Sequence, residues 1–306
     1  MKILILGCGA VGGYFGGRLQ QAGFNVTFLV REHRKKILDE YGLTIISPMG
    51  NANLQVNAIT KMNLDDSYDL IILTCKAYDL DNAIEAVTPA VGNKTLIIPL
   101  LNGLKHYQKL DDCFGGNVVV GGFCYLSVTM NENGNIHHLS SSHTLTVGAR
   151  HNDQVMLLDM LLERMATVNF NFRLSNDIIA QLWSKYTFLC AAAALNCMMR
   201  GNIGTIMSAR FGREIALGIL DECNAIATLA GNPLSEDDKK LAQTTLTEDS
   251  SLFEASMYKD MKINHHTEYA HIIGDMVRRG AEAGLSIPYL KTALTHLEVY
   301  ESFLYQ

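Results

Sequence analysis

GCGAVGGYFG, residues 7–16, directly follows the apolar run Met1–Leu6 and places Gly7, Gly9 and Gly12 at GxGxxG spacing. From within it Val11, Phe15, Leu19 and Ala22 recur at helical spacing, Gly23 stops that helix, and Asn25–Val30 reads as a second buried strand. Strand, glycine turn, helix and strand in roughly thirty residues make a βαβ unit. Each glycine has its own task. Gly7 permits the tight turn, Gly9 lets the backbone approach a pyrophosphate, and Gly12 lets helix pack on strand. A diphosphate then sits on free N–H groups at the helix start. Gly7, Cys8, Gly9, Ala10, Val11 and Gly12 are therefore the candidate cradle of a dinucleotide.

The end of the second strand selects the dinucleotide. An acid there would bind the ribose 2′-hydroxyl of NAD; this chain has Arg31, followed by Glu32, His33, Arg34, Lys35 and Lys36. A guanidinium meets a 2′-phosphate bidentately, so NADP(H) is the expected cofactor. Glu32 keeps the ribose-hydroxyl alternative open, and the basic run also suits the solvated start of a helix. Lys76, after the strand Asp69–Thr74, and Asn102, after Thr95–Leu101, mark two more strand ends. Ligands bind at such ends in open α/β folds.

The rest of the chain sets the class. At 306 residues it is long enough for two domains, with 48% apolar and 18% charged residues supplying an ordinary globular core. A net charge of −6 argues against nucleic acid as a partner. The seven cysteines include no CxxC pair and no zinc-like spacing, so reduced thiols, no metal and a cytoplasmic location are expected. MKILIL is too short for a signal-peptide core. The longest apolar stretch, Tyr186–Met199, is broken by Thr187 and Asn196 and is shorter than a membrane span. Strand patterns run to Val168–Arg173, with a hairpin-like insertion over Leu43–Ile59. After Ser175 helical periodicity takes over, with helices expected at 177–199, 205–231, 235–244, 251–264, 266–283 and 288–303. The fold class is α/β: a Rossmann-type dinucleotide-binding domain over 1–174, then an all-α helical domain over 175–306.

In the second domain Lys185 stands before an almost purely apolar run. Desolvation there would lower its pKa towards general-acid use, while snorkelling to water is the plainer alternative. His137, His138, His151, His265 and His266 read as surface or supporting residues.

With Lys185 in place, the sequence resembles the ketopantoate reductase family, the NADPH-dependent 2-dehydropantoate 2-reductases. The resemblance rests on GCGAVGGYFG, TCKAYDL at 74–80, LNG at 101–103, LWSKY at 182–186, ASMYKDMKINHHTE at 255–268 and GLSIPYLKTALTHL at 284–297. It implies reduction of ketopantoate to pantoate, a step of pantothenate biosynthesis, with a small 2-oxo acid as substrate. Gly7–Gly12 and Arg31 hold NADPH, with Lys76 and Asn102 near the nicotinamide. Lys185 is the implied general acid. Ser256 and Glu268 are the implied substrate-side groups on a second helix, Ser256 towards the carboxylate and Glu268 towards the hydroxyl end or Lys185. Helical domains of this kind often pair, which makes a homodimer the candidate assembly. One departure is serious. The family places asparagines four and eight residues after the lysine, where this chain has Leu189 and Ala193. Asn196 is the nearest amide, but it lies roughly 16 Å further along the helix than Lys185. The carbonyl chemistry survives this change, and the identity of the substrate is opened by it: the alternatives are a paralogous NADPH-dependent reductase of another 2-oxo acid and an NADPH-binding redox sensor without turnover.

Overall fold

The first strand, β1 (Lys2–Leu6), is buried at four of its five positions because parallel strands flank it on both sides. It stands mid-sheet in the order β5 (Asn57–Ile59), β2 (Asn25–Leu29), β1, β6 (Tyr68–Leu73), β7 (Val91–Pro99), and every pairing is parallel. Chain order reverses at β1. Its carboxyl end is therefore a topological switch point, where Gly7, Arg31 and Lys76 all emerge. The computed structural model describes residues 1–64 and 67–304. It divides the chain into two compact units, Met1–Leu101 with His106–Ile178, and Asn102–Lys105 with Ile179–Gln306. The short loop after β7 is grouped with the helices.

Unit 1 holds a second sheet. Its order is β10 (Asn171–Ser175), β9 (Ile136–Gly148), β3 (Leu43–Ile46), β4 (Ala52–Leu54), with β8 (Gly121–Met130) antiparallel to β9. The hairpin expected over Leu43–Ile59 is the β3–β4 pair, while β5 crosses to the first sheet. Helix α1 (Ala10–Gln21) runs between the sheets, which explains its two glycine pairs. A Cβ on Gly16 would stand 2.5 Å from the Phe28 ring of the first sheet, and one on Gly17 would stand 2.7 Å from Ile45 of the second. Alanine at either position overpacks the layer. Helices α2 (Glu32–Tyr41), α3 (Leu80–Val87), α4 (Lys105–Phe114) and α5 (Val155–Arg164) complete the α/β part. The sequence reading did not anticipate α4, although its buried His106, Tyr107 and Leu110 share one helix face.

His138, expected at the surface or in support, is instead a buried group of unit 1, and beside it lies a second buried histidine, His143, that the sequence reading did not single out. Tyr14 Oη pairs with His143 Nδ1 at 2.9 Å, and Ser47 Oγ with His138 Nδ1 at 2.9 Å. The two imidazoles stack at 5.9 Å. Burial, then the neighbouring His138 and Arg18, push the His143 pKa down.

Unit 2 is helical throughout. Its centre is α6 (Ile178–Met199), long and apolar enough in composition to match a membrane span; Ala191–Ala194 of α6 are buried in the helical core. Around it lie α7 (Ile203–Met207), α8 (Gly212–Leu229), α9 (Glu236–Leu246), α10 (Ser256–Lys262), α11 (Tyr269–Glu282) and α12 (Pro288–Leu304). The helix expected over 205–231 is two, broken where Gly212 presses on the Ile206 main chain. That expected over 251–264 is helical only from Ser256. Before it, the Phe253 and Ser251 carbonyls accept from the N–H groups of Ile203 and Gly204, so this chain serves α7 instead of coiling. Glu222 of α8 caps α12, accepting from Tyr289 N and Leu290 N at 3.0 and 2.9 Å.

Candidate functional site

In unit 1 a cavity of about 740 Å³ opens at the carboxyl edge of the first sheet, within the size range of small-molecule sites. Gly7, Cys8, Gly9, Arg31, Arg34 and Asp79 are among its walls. Gly7 has φ of +91°, a turn that other residues resist. A Cβ on Gly9 would meet nothing within 4 Å, whereas one on Gly12 would overlap the Gly7 carbonyl and Thr74 Oγ1. Gly9 thus faces open space and Gly12 faces the strand. Ala10 and Val11 form the first turn of α1 with Gly12, and no side chain caps that helix. Exposed main-chain donors beside a cavity with cations in its wall fit the phosphates of a dinucleotide. Burial pushes the Cys8 thiol up to about 11 against the pull of Arg34, so Cys8 is inert lining.

Arg31 stands at the mouth with its side chain 79% exposed, paired to Asp79 Oδ1 at 2.8 Å. Exposed pairs of this kind contribute about 0–1 kcal/mol, so Asp79 holds the guanidinium only weakly. Glu32 lines the same cavity, and the 2′-hydroxyl alternative therefore keeps its acceptor. Lys76 lies half-buried at the sheet edge beside Cys75, which lines the cavity. Sequence reading treated Arg34 only as added charge. Its Nε donates to the Cys8 carbonyl at 2.9 Å and its Nη2 to the Gly134 carbonyl at 3.0 Å. It therefore ties the glycine turn to the β8–β9 hairpin. Nothing in a solvated basic run signals a contact one hundred residues away.

Unit 2 brings together a second set. Lys185, half-buried on α6, donates from Nζ to Asn102 Oδ1 at 3.5 Å. Asn102, expected beside the cofactor, is thus in hand for the lysine. Glu268 is 7% exposed and forms the N-cap position of α11. Ser256 is exposed at the first position of α10. The two were expected on one helix and occupy two, because the intervening chain is held by α12. Thr267 N and Oγ1 both donate to Glu301 Oε1 at 2.7 Å, and Tyr300 Oη donates to the His265 carbonyl at 2.9 Å. On the Lys185 face, Leu189 is half-buried and Ala193 is buried. Asn196 is fully buried with both amide ends in use, Nδ2 to the Gly201 carbonyl and Oδ1 from Ala255 N. It holds the start of α10 and offers a ligand nothing.

Helix α11 adds a residue that the motifs did not mark. Burial pushes the His271 pKa down to about 4, outweighing nearby Asp275. Four residues on, burial works to raise the Asp275 carboxyl, but hydrogen bonds from Arg279 and Arg278 hold it low. The signs give separate pH windows. His143 and His271 both have folded pKa values below the 6.5 of the unfolded chain, so each resists protonation in the fold, His271 down to about pH 4. Stability therefore falls as pH drops from 6.5 to about 4, the loss from His271 being on the order of 3 kcal/mol. The Asp275 contribution is intact above pH 4 and is lost only below it. Urea unfolding between pH 7 and 4 is expected to show this slope, flattened by His271→Phe. An unchanged slope in that variant would contradict a neutral buried ring.

Family models describe both parts of the chain. That of ketopantoate reductase PanE/ApbA matches residues 3–152, and that of its C-terminal part matches 177–301. The uncharacterized oxidoreductase YkpB of Bacillus subtilis (strain 168) is 33% identical over 302 residues, 99% of each chain. Two solved structures match over the full length of both chains with TM-scores of 0.89. One is a D-mandelate dehydrogenase with NADH and anilino(oxo)acetate, at 20% identity. The other is a PanE/ApbA family ketopantoate reductase from Ralstonia eutropha JMP134, at 22%. A glycine cradle at the switch point, a lysine paired to an asparagine among helices, and family models over both parts agree: the chain belongs to the ketopantoate reductase PanE/ApbA family of oxidoreductases.

Proposed function

We propose that the protein reduces a 2-oxo acid to its 2-hydroxy acid with NADPH, with ketopantoate, giving pantoate, as the reference substrate. The observation that carries the reading is the Lys185–Asn102 pair, a cation presented by an amide oxygen in a half-buried setting. Gly7–Gly12 and Arg31 of unit 1 would hold NADPH, which would supply the hydride that adds to the ketone carbon. Lys185 Nζ gives a proton to the carbonyl oxygen as negative charge builds there and regains one from solvent. Asn102 Oδ1 takes one ammonium hydrogen and so orients the others. Ser256, exposed at the start of α10, binds the carboxylate, and Glu268 holds the far end of the substrate or Lys185. Arg31 exchanges Asp79 for the 2′-phosphate.

A second reading has its own support. Leu189 and Ala193 put apolar groups where the family carries amides, and Asn196 is committed to the main chain. A different 2-oxo acid then takes the place of ketopantoate. The D-mandelate dehydrogenase, with its NADH and anilino(oxo)acetate, shows that this fold accommodates other ligands and the other cofactor. Following NADPH consumption with ketopantoate and a panel of 2-oxo acids separates the readings. Ketopantoate turnover with kcat/KM above about 10⁴ M⁻¹s⁻¹ favours the first, and faster turnover of another acid favours the second. No turnover of any acid, despite tight NADPH binding, refutes both.

Cofactor preference has its own check. Arg31→Ala is expected to weaken NADPH roughly tenfold or more while leaving NADH within about twofold, as loss of one charge-assisted phosphate contact requires. An unchanged NADPH:NADH affinity ratio removes Arg31 from the 2′-phosphate.

A further inference from the structure

We propose that His271 is a positioning residue for this reduction: its ring fixes the Asn102 loop so that Asn102 Oδ1 holds the Lys185 ammonium. The inference rests on the reading of Lys185 as proton donor, and no motif of the sequence marks the histidine.

Four observations carry it. His271 is 8% exposed in the first turn of α11. Its ring hydrogen-bonds the Asn102 main chain, a bond that favours the protonated ring, so a ring N–H donates. The same ring packs on the next residue, Gly103, where an added Cβ would stand 3.1 Å from His271 Cδ2. Gly103 has φ of +82°, so the loop is shaped to lie against the imidazole. Finally, the neighbouring residue of α11 grips the lysine helix. Tyr186, next to Lys185, donates from its hydroxyl to the Ile272 carbonyl at 2.7 Å.

Two consecutive residues of α11 therefore locate the two partners of the 3.5 Å Lys185–Asn102 contact. Glu268 is referenced to the same turn, since its carbonyl accepts from His271 N at 3.1 Å. That contact is too long to hold itself in place, so its geometry depends on what anchors the loop. A neutral ring suits this task, because it anchors the asparagine without placing a second positive charge beside the ammonium.

His271→Phe keeps the ring and its contact with Gly103 but removes the donor; His271→Gln restores an amide donor. With full-length protein, saturating NADPH and the acid best turned over in the panel, His271→Phe is expected to lower kcat about 10- to 50-fold, because a misplaced donor costs rate. The KM for the acid and the NADPH Kd stay within about threefold, and His271→Gln recovers most of kcat. A second measurement needs no turnover. Reductive methylation of Lys185, followed by peptide mass spectrometry across pH, is expected to shift its midpoint in His271→Phe and return in His271→Gln. Equal kcat and equal midpoints in all three proteins overturn the proposal. So does an equal loss in both variants accompanied by a lowered Tm, the mark of structural damage alone. If the wild type turns over no acid, the reduction itself is refuted, and the Lys185 midpoints alone then decide whether His271 positions the lysine.

Discussion

Lys185→Met is expected to lower kcat by about 10²- to 10⁴-fold, the span attributable to one positioned proton donor. Methionine matches the length and apolar stem of lysine, so the half-buried site on α6 keeps its packing and Tm stays close to wild type. The cradle lies in unit 1, and NADPH binding should be unchanged within about twofold. KM for the 2-oxo acid should move less than kcat, because the proton is needed chiefly as charge develops on the oxygen. Stopped-flow measurement of NADPH oxidation in a single turnover separates this from slow product release. Equal single-turnover rates in the two proteins would remove Lys185 from the chemistry. Lys185→Cys alkylated to a thioether analogue of lysine provides a rescue, and recovery of rate would confine the defect to the missing ammonium.

How much of this was legible in the sequence depends on the range of the contact. The βαβ start was legible because each of its signals is local. A turn needing positive φ, a helix period and a buried strand all fall within Met1–Val30. The helical texture after residue 175 was legible for the same reason, and Lys185 stood out as one cation against an apolar run. What stayed hidden is tertiary. Arg34 reaches Gly134, His271 reaches Asn102, and Tyr14 reaches His143 across 129 positions. In one dimension each of these looks like an ordinary polar residue. The single helix that the resemblance implied for Ser256 and Glu268 is two, as the periodic pattern had divided it, and Glu301 of α12 holds the chain between them. Asn196 shows the converse. Its helical phase places it near the lysine face, yet its amide closes two main-chain gaps around α7 and α10. Phase predicts direction and says nothing about commitment.

The glycines of the cradle yield the sharpest separation of fold from function. Gly9 has φ of −80°, which any residue adopts, and open space where a side chain would go. Gly9→Val should therefore fold with a Tm within a few degrees of wild type. Its side chain would occupy the approach of a pyrophosphate to the α1 N-terminus, so NADPH and NADH should both weaken by roughly 10- to 100-fold, about 1.4–2.7 kcal/mol. Gly12 is the opposite case. Even a methyl group there meets the Gly7 carbonyl and Thr74 Oγ1, where Thr74 donates to the Leu6 carbonyl at 2.8 Å and joins β6 to β1. Gly12→Ala must push α1 off the sheet, and overpacking of this kind costs about 1–3 kcal/mol. It should lower Tm and the urea midpoint, with cofactor binding lost in proportion to misfolding. Thermal melts and fluorescence titration with NADPH read the two effects apart. If Gly9→Val binds NADPH as wild type does, the cavity at the switch point is not where the cofactor's phosphates lie. If Gly12→Ala is as stable as wild type, the close approach of α1 to β1 and β6 is not the constraint on that position, and the spacing of the whole motif needs another cause.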